Sequence, residues 1–103
     1  MEYTYPLTLS NNTEYCFVIK TNDNMQGNTT LFMLNISWFE NTNPKSWTIS
    51  FFNTSDINEI SKFIVEYITN KKYTDEDILT VVSLLYMLLG NNNEEQSTMY
   101  MNI

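Results

Sequence analysis

Apolar and polar residues alternate with a period of two along the first half of the chain and then recur at helical spacing in the second. In residues 3–9, Tyr3, Tyr5, Leu7 and Leu9 fall on one side and Thr4, Pro6 and Thr8 on the other. Residues 15–20 set Tyr15, Phe17 and Ile19 against Cys16, Val18 and Lys20. A third stretch, Thr30 to Glu40, lines up Phe32, Leu34, Ile36 and Trp38, and a fourth, Ser46 to Phe52, lines up Trp47, Ile49 and Phe51. Each reads as a strand with one apolar face. Pro6 cannot donate to a ladder, so the first strand belongs at a sheet edge.

Turn residues separate these stretches, and pairing of like faces predicts two hairpin registers. Ser10 opposite Glu14 sets Leu9 against Tyr15, Leu7 against Phe17 and Tyr5 against Ile19, all on one face. Glu40 opposite Lys45 sets Trp38 against Trp47, Ile36 against Ile49 and Leu34 against Phe51, with Asn35 by Ser50 and Ser37 by Thr48 on the far face.

A first helix is expected from Asp56, a cap with Glu59 three residues on. Ile57, Ile60, Phe63, Ile64, Tyr67 and Ile68 form its stripe; Asn58, Glu59, Lys62, Glu66 and Thr69 fill the opposite face. A second helix is capped by Thr74 with Asp77 at its third position, and stops at Gly90. Ile78, Val81, Val82, Leu85, Leu88 and Leu89 form its main face, which leaves Leu84 and Met87 on the other side, in need of a cover. Thr98 to Ile103 alternates again, with Met99, Met101 and Ile103 on one side, and reads as a fifth strand rather than a frayed tail. Strands followed by helices give an α+β class: a four-stranded antiparallel meander with two C-terminal helices on its aromatic face, over residues 1–103 as one domain.

Charge narrows the partners. The chain carries −7 at pH 7, from 12 acidic residues against five lysines, with no arginine and no histidine. Direct nucleic-acid and anionic-membrane binding are disfavoured, because phosphate contacts need cations. The charge permits a basic protein partner, a nucleic-acid enzyme among them; the plainer reading is that it keeps the chain soluble. Scarce Ala, Arg, Gly and Pro suggest an AT-rich genome of viral or mobile-element kind. No basic and apolar leader precedes the first strand, and the apolar run Ile78–Leu89 is too short to span a bilayer, so a cytoplasmic protein is expected.

Candidate chemistry is sparse. Without His, Ser-His and Cys-His arrangements cannot be built within one chain, and two glycines cannot form a phosphate-cradling loop. The Asn22-x-Asn24-x-Gln26-Gly27 stretch has one carboxylate, Asp23, and Met33 where a calcium loop needs Glu. Cys16 is the lone thiol, and four Asn-x-Ser/Thr sequons, at Asn11, Asn28, Asn35 and Asn53, follow from abundant Asn and Thr. The expectation is a non-enzyme with no cofactor and no metal. Its acidic partner-binding candidates are Asp75, Glu76, Asp77, Glu94 and Glu95, and its oligomer-interface candidates are Leu84, Met87, Met99 and Met101. The function class is a small acidic protein-binding module, a viral or mobile-element inhibitor of a host defence or nucleic-acid enzyme of anti-CRISPR or anti-restriction type. The alternative is a homo-oligomeric assembly protein, a homodimer in its simplest form, or a regulatory accessory subunit.

Overall fold

A computed structural model of the chain describes residues 2–22 and 30–92. It is an α+β fold: β1 (Glu2–Thr8), β2 (Glu14–Asn22), β3 (Leu31–Glu40), β4 (Asn43–Phe52), α1 (Ile57–Ile68) and α2 (Asp75–Asn92). The strands form one antiparallel sheet in the order β1-β2-β3-β4. Both prolines lie in edge strands, Pro6 in β1 and Pro44 in β4, where a missing N–H breaks no central ladder. The expected fifth strand, with Met99 and Met101, and the acidic pair Glu94 and Glu95 lie outside the described residues.

Both hairpins keep the expected faces but slip by two residues. Leu7 pairs with Tyr15, Tyr5 with Phe17 and Tyr3 with Ile19. In the second hairpin Trp38 opposes Lys45, Ile36 opposes Trp47, Leu34 opposes Ile49 and Phe32 opposes Phe51. On the far face, Asn35 opposes Thr48 and Ser37 opposes Ser46. Turn chemistry decides this. Leu9 and Thr13 close a loop in which Asn12 takes φ 64°, and the Asn12 amide donates to the Leu9 carbonyl. Asn41, at φ 59°, opens a turn that leaves only Asn41 and Thr42 between the β3–β4 partners Glu40 and Asn43. A slip of two preserves the side-chain alternation, so the core face is unaffected. The Glu40–Lys45 ion pair survives as a diagonal contact at 3.8 Å.

One face of the sheet is covered. Tyr15, Phe17, Ile19, Phe32, Leu34, Ile36 and Phe51 are buried in a single cluster with the buried side chains of both helices. In α1 these are Ile57, Ser61, Ile64, Val65 and Ile68. The buried stripe is thus rotated from the expected one. Val65 and Ser61 enter the core, while Phe63 and Tyr67 swing out to 55% exposure. Thr69, expected on the solvent face, is buried as the C-cap, its hydroxyl bonded to the Val65 carbonyl. Asp56 caps the start of α1, accepting from the Asn58 and Glu59 amides.

In α2, Val81, Leu84, Leu85, Leu88 and Leu89 are buried. The expectation that Leu84 is left over, to be covered by the tail or by another chain, is therefore corrected: at 4% exposure it belongs to the core cluster, and Tyr5 and Leu7 of β1 line the same cavity. Met87 is 44% exposed at the same edge. The helix also continues through Gly90 to Asn92. A glycine costs a helix roughly 1 kcal/mol, too little to stop one already held by several core leucines. No helix among the described residues is long and apolar enough to cross a membrane.

Candidate functional site

A cavity of about 570 Å³ opens where three chain segments converge. The β1–β2 turn brings Asn11 and Thr13, the facing ends of β3 and β4 bring Trp38, Phe39, Glu40 and Lys45, and the last turn of α1 with the residues that close it brings Glu66 to Lys71. Tyr15 is its buried floor. The Tyr15 hydroxyl accepts from Asn11 Nδ2 at 2.9 Å and donates to the Ile68 carbonyl at 3.2 Å, tying the hairpin turn to the helix end. The ring centroid of Trp38 lies 5.5 Å from that of Tyr15.

The wall on the α1 side is shaped by how that helix stops. Asn70 takes φ 52° and its amide donates to the Tyr67 carbonyl, while the Lys71 amide reaches the Glu66 carbonyl at 2.8 Å. This is a Schellman closure with asparagine in the left-handed position. The Val65, Glu66, Tyr67, Ile68 and Thr69 carbonyls all accept hydrogen bonds from within the chain. The helix end is therefore sealed by its own chain.

An aromatic row continues from this wall along β4. Tyr67 stacks on Trp47 with centroids 4.2 Å apart, and Phe63, one turn earlier, meets the same indole at 5.8 Å. Trp38 and Trp47 share the sheet's inner face, each half-buried, because their pairing partners are Lys45 and Ile36. Charge in the lining is balanced: Glu40 and Glu66 against Lys45 and Lys71. Both members of the Lys45–Glu40 pair are largely exposed, and such pairs contribute under about 1 kcal/mol. Glu66 accepts from the Tyr73 hydroxyl at 3.3 Å. Partial desolvation first, and then the Glu66 carboxylate, raise the Tyr73 phenol above its ordinary value.

The described residues among those nominated from sequence lie elsewhere; Glu94, Glu95, Met99 and Met101 are outside the described residues. Asp75 and Glu76 are exposed on the first turn of α2, away from the cleft lining. Asp77 is 4% exposed and its carboxylate is fully engaged. It accepts from the Ser10 amide at 2.9 Å, from the Ser10 hydroxyl, and from the Thr74 amide at 3.0 Å, while its own amide donates to Thr74 Oγ1. Burial alone would raise its pKa, but these hydrogen bonds outweigh burial and hold it below the usual carboxylate value. Asp77 thus locks the β1–β2 turn to the start of α2 and is not open to a partner. Glu40, Glu66, Trp38 and Tyr67 were not singled out as site residues. The available signal was Phe63 and Tyr67, which widen the α1 stripe beyond what one buried face can hold.

Among the described residues no three His, Cys, Asp or Glu side chains are grouped to hold a metal ion. Cys16 is half-buried on the outer face opposite Pro6 and Ser37. No family model, curated protein or solved structure matches the chain.

Proposed function

We propose that this chain is a small non-catalytic protein-binding module whose basic partner docks across the aromatic row of α1 and β4. The carrying observation is that row: Phe63 and Tyr67, each 55% exposed, packed on Trp47 at the rim of the cleft. Folded chains rarely leave contiguous aromatic surface bare, and aromatic side chains are enriched at the centres of interfaces. The net charge of −7 favours a basic partner and its steering. Nucleic-acid enzymes present such basic surface, so inhibition of one by a viral or mobile-element protein is the form of this reading we favour.

Affinity capture from the native host, repeated with Phe63→Ala/Tyr67→Ala, tests it. The wild type should retain a basic protein that salt releases and the variant does not hold. Equal retention by both would overturn the docking surface. Neutralising Asp75, Glu76, Glu94 and Glu95 together, with the structural Asp77 left intact, should flatten the salt dependence. An unchanged salt dependence would sink the electrostatic part.

A second reading, self-association, is favoured by the outer face of the sheet, which no other described element covers. No outward position of β3 or β4 carries a charge, and Met33, Phe39 and Phe52 are exposed there at 44%, 66% and 42%. Charge depletion of this kind marks interface cores. Light scattering at micromolar concentration decides it: a strict monomer removes this reading.

A further inference from the structure

We infer that the free edge of β4 pairs with the same edge of a second copy of this chain, antiparallel and about a twofold axis at Thr48. This assignment does not rest on the basic-partner reading, and it uses the edge of the sheet rather than its outer face. β4 ends the sheet, with no described strand beyond it. One bond fixes which of its main-chain groups face outward. The Asn53 amide donates to the Thr30 carbonyl at 3.0 Å, so those two residues form a hydrogen-bonded pair. Alternation along the register then turns the main-chain groups of Phe52, Ser50, Thr48, Ser46 and Pro44 away from β3.

Both ends of this edge are closed. Pro44 has no N–H to give. The Phe52 amide donates to Ser55 Oγ at 3.1 Å, and its carbonyl accepts from the Ser55 amide at 2.9 Å. Between them Ser46, Thr48 and Ser50 are exposed and uncharged. The β1 edge differs. The Leu9 amide donates to the Thr13 carbonyl, and the same alternation puts Pro6 in the middle of the outward-facing groups. A proline at the centre blunts an edge, whereas closures at the ends leave a template of defined length.

The open stretch of β4 is its own complement. With Thr48 opposite its counterpart, Ser46 meets Ser50 of the second copy and Ser50 meets Ser46, each pair exchanging two main-chain bonds. On the inner face Trp47 then lies across from Ile49 on both sides of the axis. Both are half-buried in the single chain, and an aromatic opposite a β-branched side chain is a favourable cross-strand pair. Pro44 falls across from Phe52, so the closed ends meet each other. Lys45, the single charge of β4, falls across from Phe51, and no like charges oppose.

Sedimentation from about 10 μM to about 1 mM should show a weak monomer–dimer equilibrium, as so short a ladder implies. It should tighten as salt is added, because each chain carries −7. Hydrogen exchange should protect the Ser46, Thr48 and Ser50 amides more as concentration rises, while the Trp47 and Ile49 amides, turned toward β3, stay protected throughout. Thr48→Glu and Thr48→Lys each bring like charges together at the axis and should weaken the dimer several-fold. A mixture of the two should recover it as a heterodimer, a recovery that damage to the fold would not allow.

A monomer throughout the range overturns the assignment. So does a dimer whose Ser46, Thr48 and Ser50 amides exchange alike at every concentration, which would move the contact to the outer face, or a mixture no tighter than its components. A partner captured through Phe63 and Tyr67, without self-association, would remove this inference and leave the basic-partner reading standing. Protected edge amides in a dimer, without a captured partner, would do the reverse.

Discussion

Both helices bury one face and leave large apolar side chains outside, but only α1 packs its exposed rings on an indole of the sheet. Leu79, Tyr86 and Met87 of α2 are 64%, 54% and 44% exposed, Phe63 and Tyr67 of α1 55% each. Helix α2 is apolar nearly all round, yet Val81, Leu84, Leu85, Leu88 and Leu89 all go into the core, and its buried acid Asp77 is consumed in joining it to the β1–β2 turn. Helix α1 is the better amphipath by sequence, yet it holds Phe63 and Tyr67 out against Trp47. The number of apolar residues on a helix therefore does not show which of them are surplus to folding. What shows it is whether a second layer stands behind them. Leu84 is enclosed in the core cluster at 4% exposure, whereas Tyr67 has one indole on one side and lines the open cleft.

The contrast can be broken most forcefully at Leu84. Its replacement by alanine should destabilise the chain by about 2–4 kcal/mol in urea denaturation, as expected for a buried leucine at the edge of a core. A loss near zero would return Leu84 to the surface. Asp77→Ala comes next, at about 2–3 kcal/mol, because it removes a cap and leaves the Ser10 and Thr74 amides without their acceptor.

The same carboxylate makes a pH prediction. Its folded pKa lies below the ordinary 3.8, so the stability it supplies is complete above that value and drains away as pH falls through the lower, folded value. Wild-type stability should therefore fall more steeply between about pH 5 and about pH 2 than that of Asp77→Asn. Parallel curves would show that Asp77 is not held ionised by the fold.

Tyr67→Ala should cost only about 0.5–1.5 kcal/mol, the order of one aromatic stack on a half-exposed ring. The smallest effect is expected at Ser61. Its hydroxyl is buried in α1 with no hydrogen-bond partner. Ser61→Ala should be neutral or stabilise by up to about 1 kcal/mol, and a clear loss would reveal a partner for that hydroxyl.

Much of this fold is legible in the chain. The alternation of Tyr15-Phe17-Ile19 and Phe32-Leu34-Ile36 assigns the core face, and Asp56 and Thr74 mark where helices begin. The registers are less so, since Asn12 and Asn41 in left-handed conformations choose the turns, and pairing rules alone do not separate registers two residues apart. The end of α2 is not legible at Gly90, because tertiary packing outweighs one weak residue.

The cleft was not legible at all. It exists only because the Schellman turn at Asn70, the β1–β2 turn and the ends of β3 and β4 arrive at one place. The double role of Asp77 was half legible. Its capping position follows from Thr74, but its bond to Ser10 spans 67 positions of sequence.

The central claim is that the aromatic row is surplus to the fold and kept for a partner. Urea denaturation of Tyr67→Ala beside Leu84→Ala tests it most directly. The account predicts that Leu84→Ala loses at least about twice the free energy that Tyr67→Ala loses, with Tyr67→Ala remaining fully folded in buffer. If Tyr67→Ala loses as much as Leu84→Ala, the row is part of the core and the claim is contradicted.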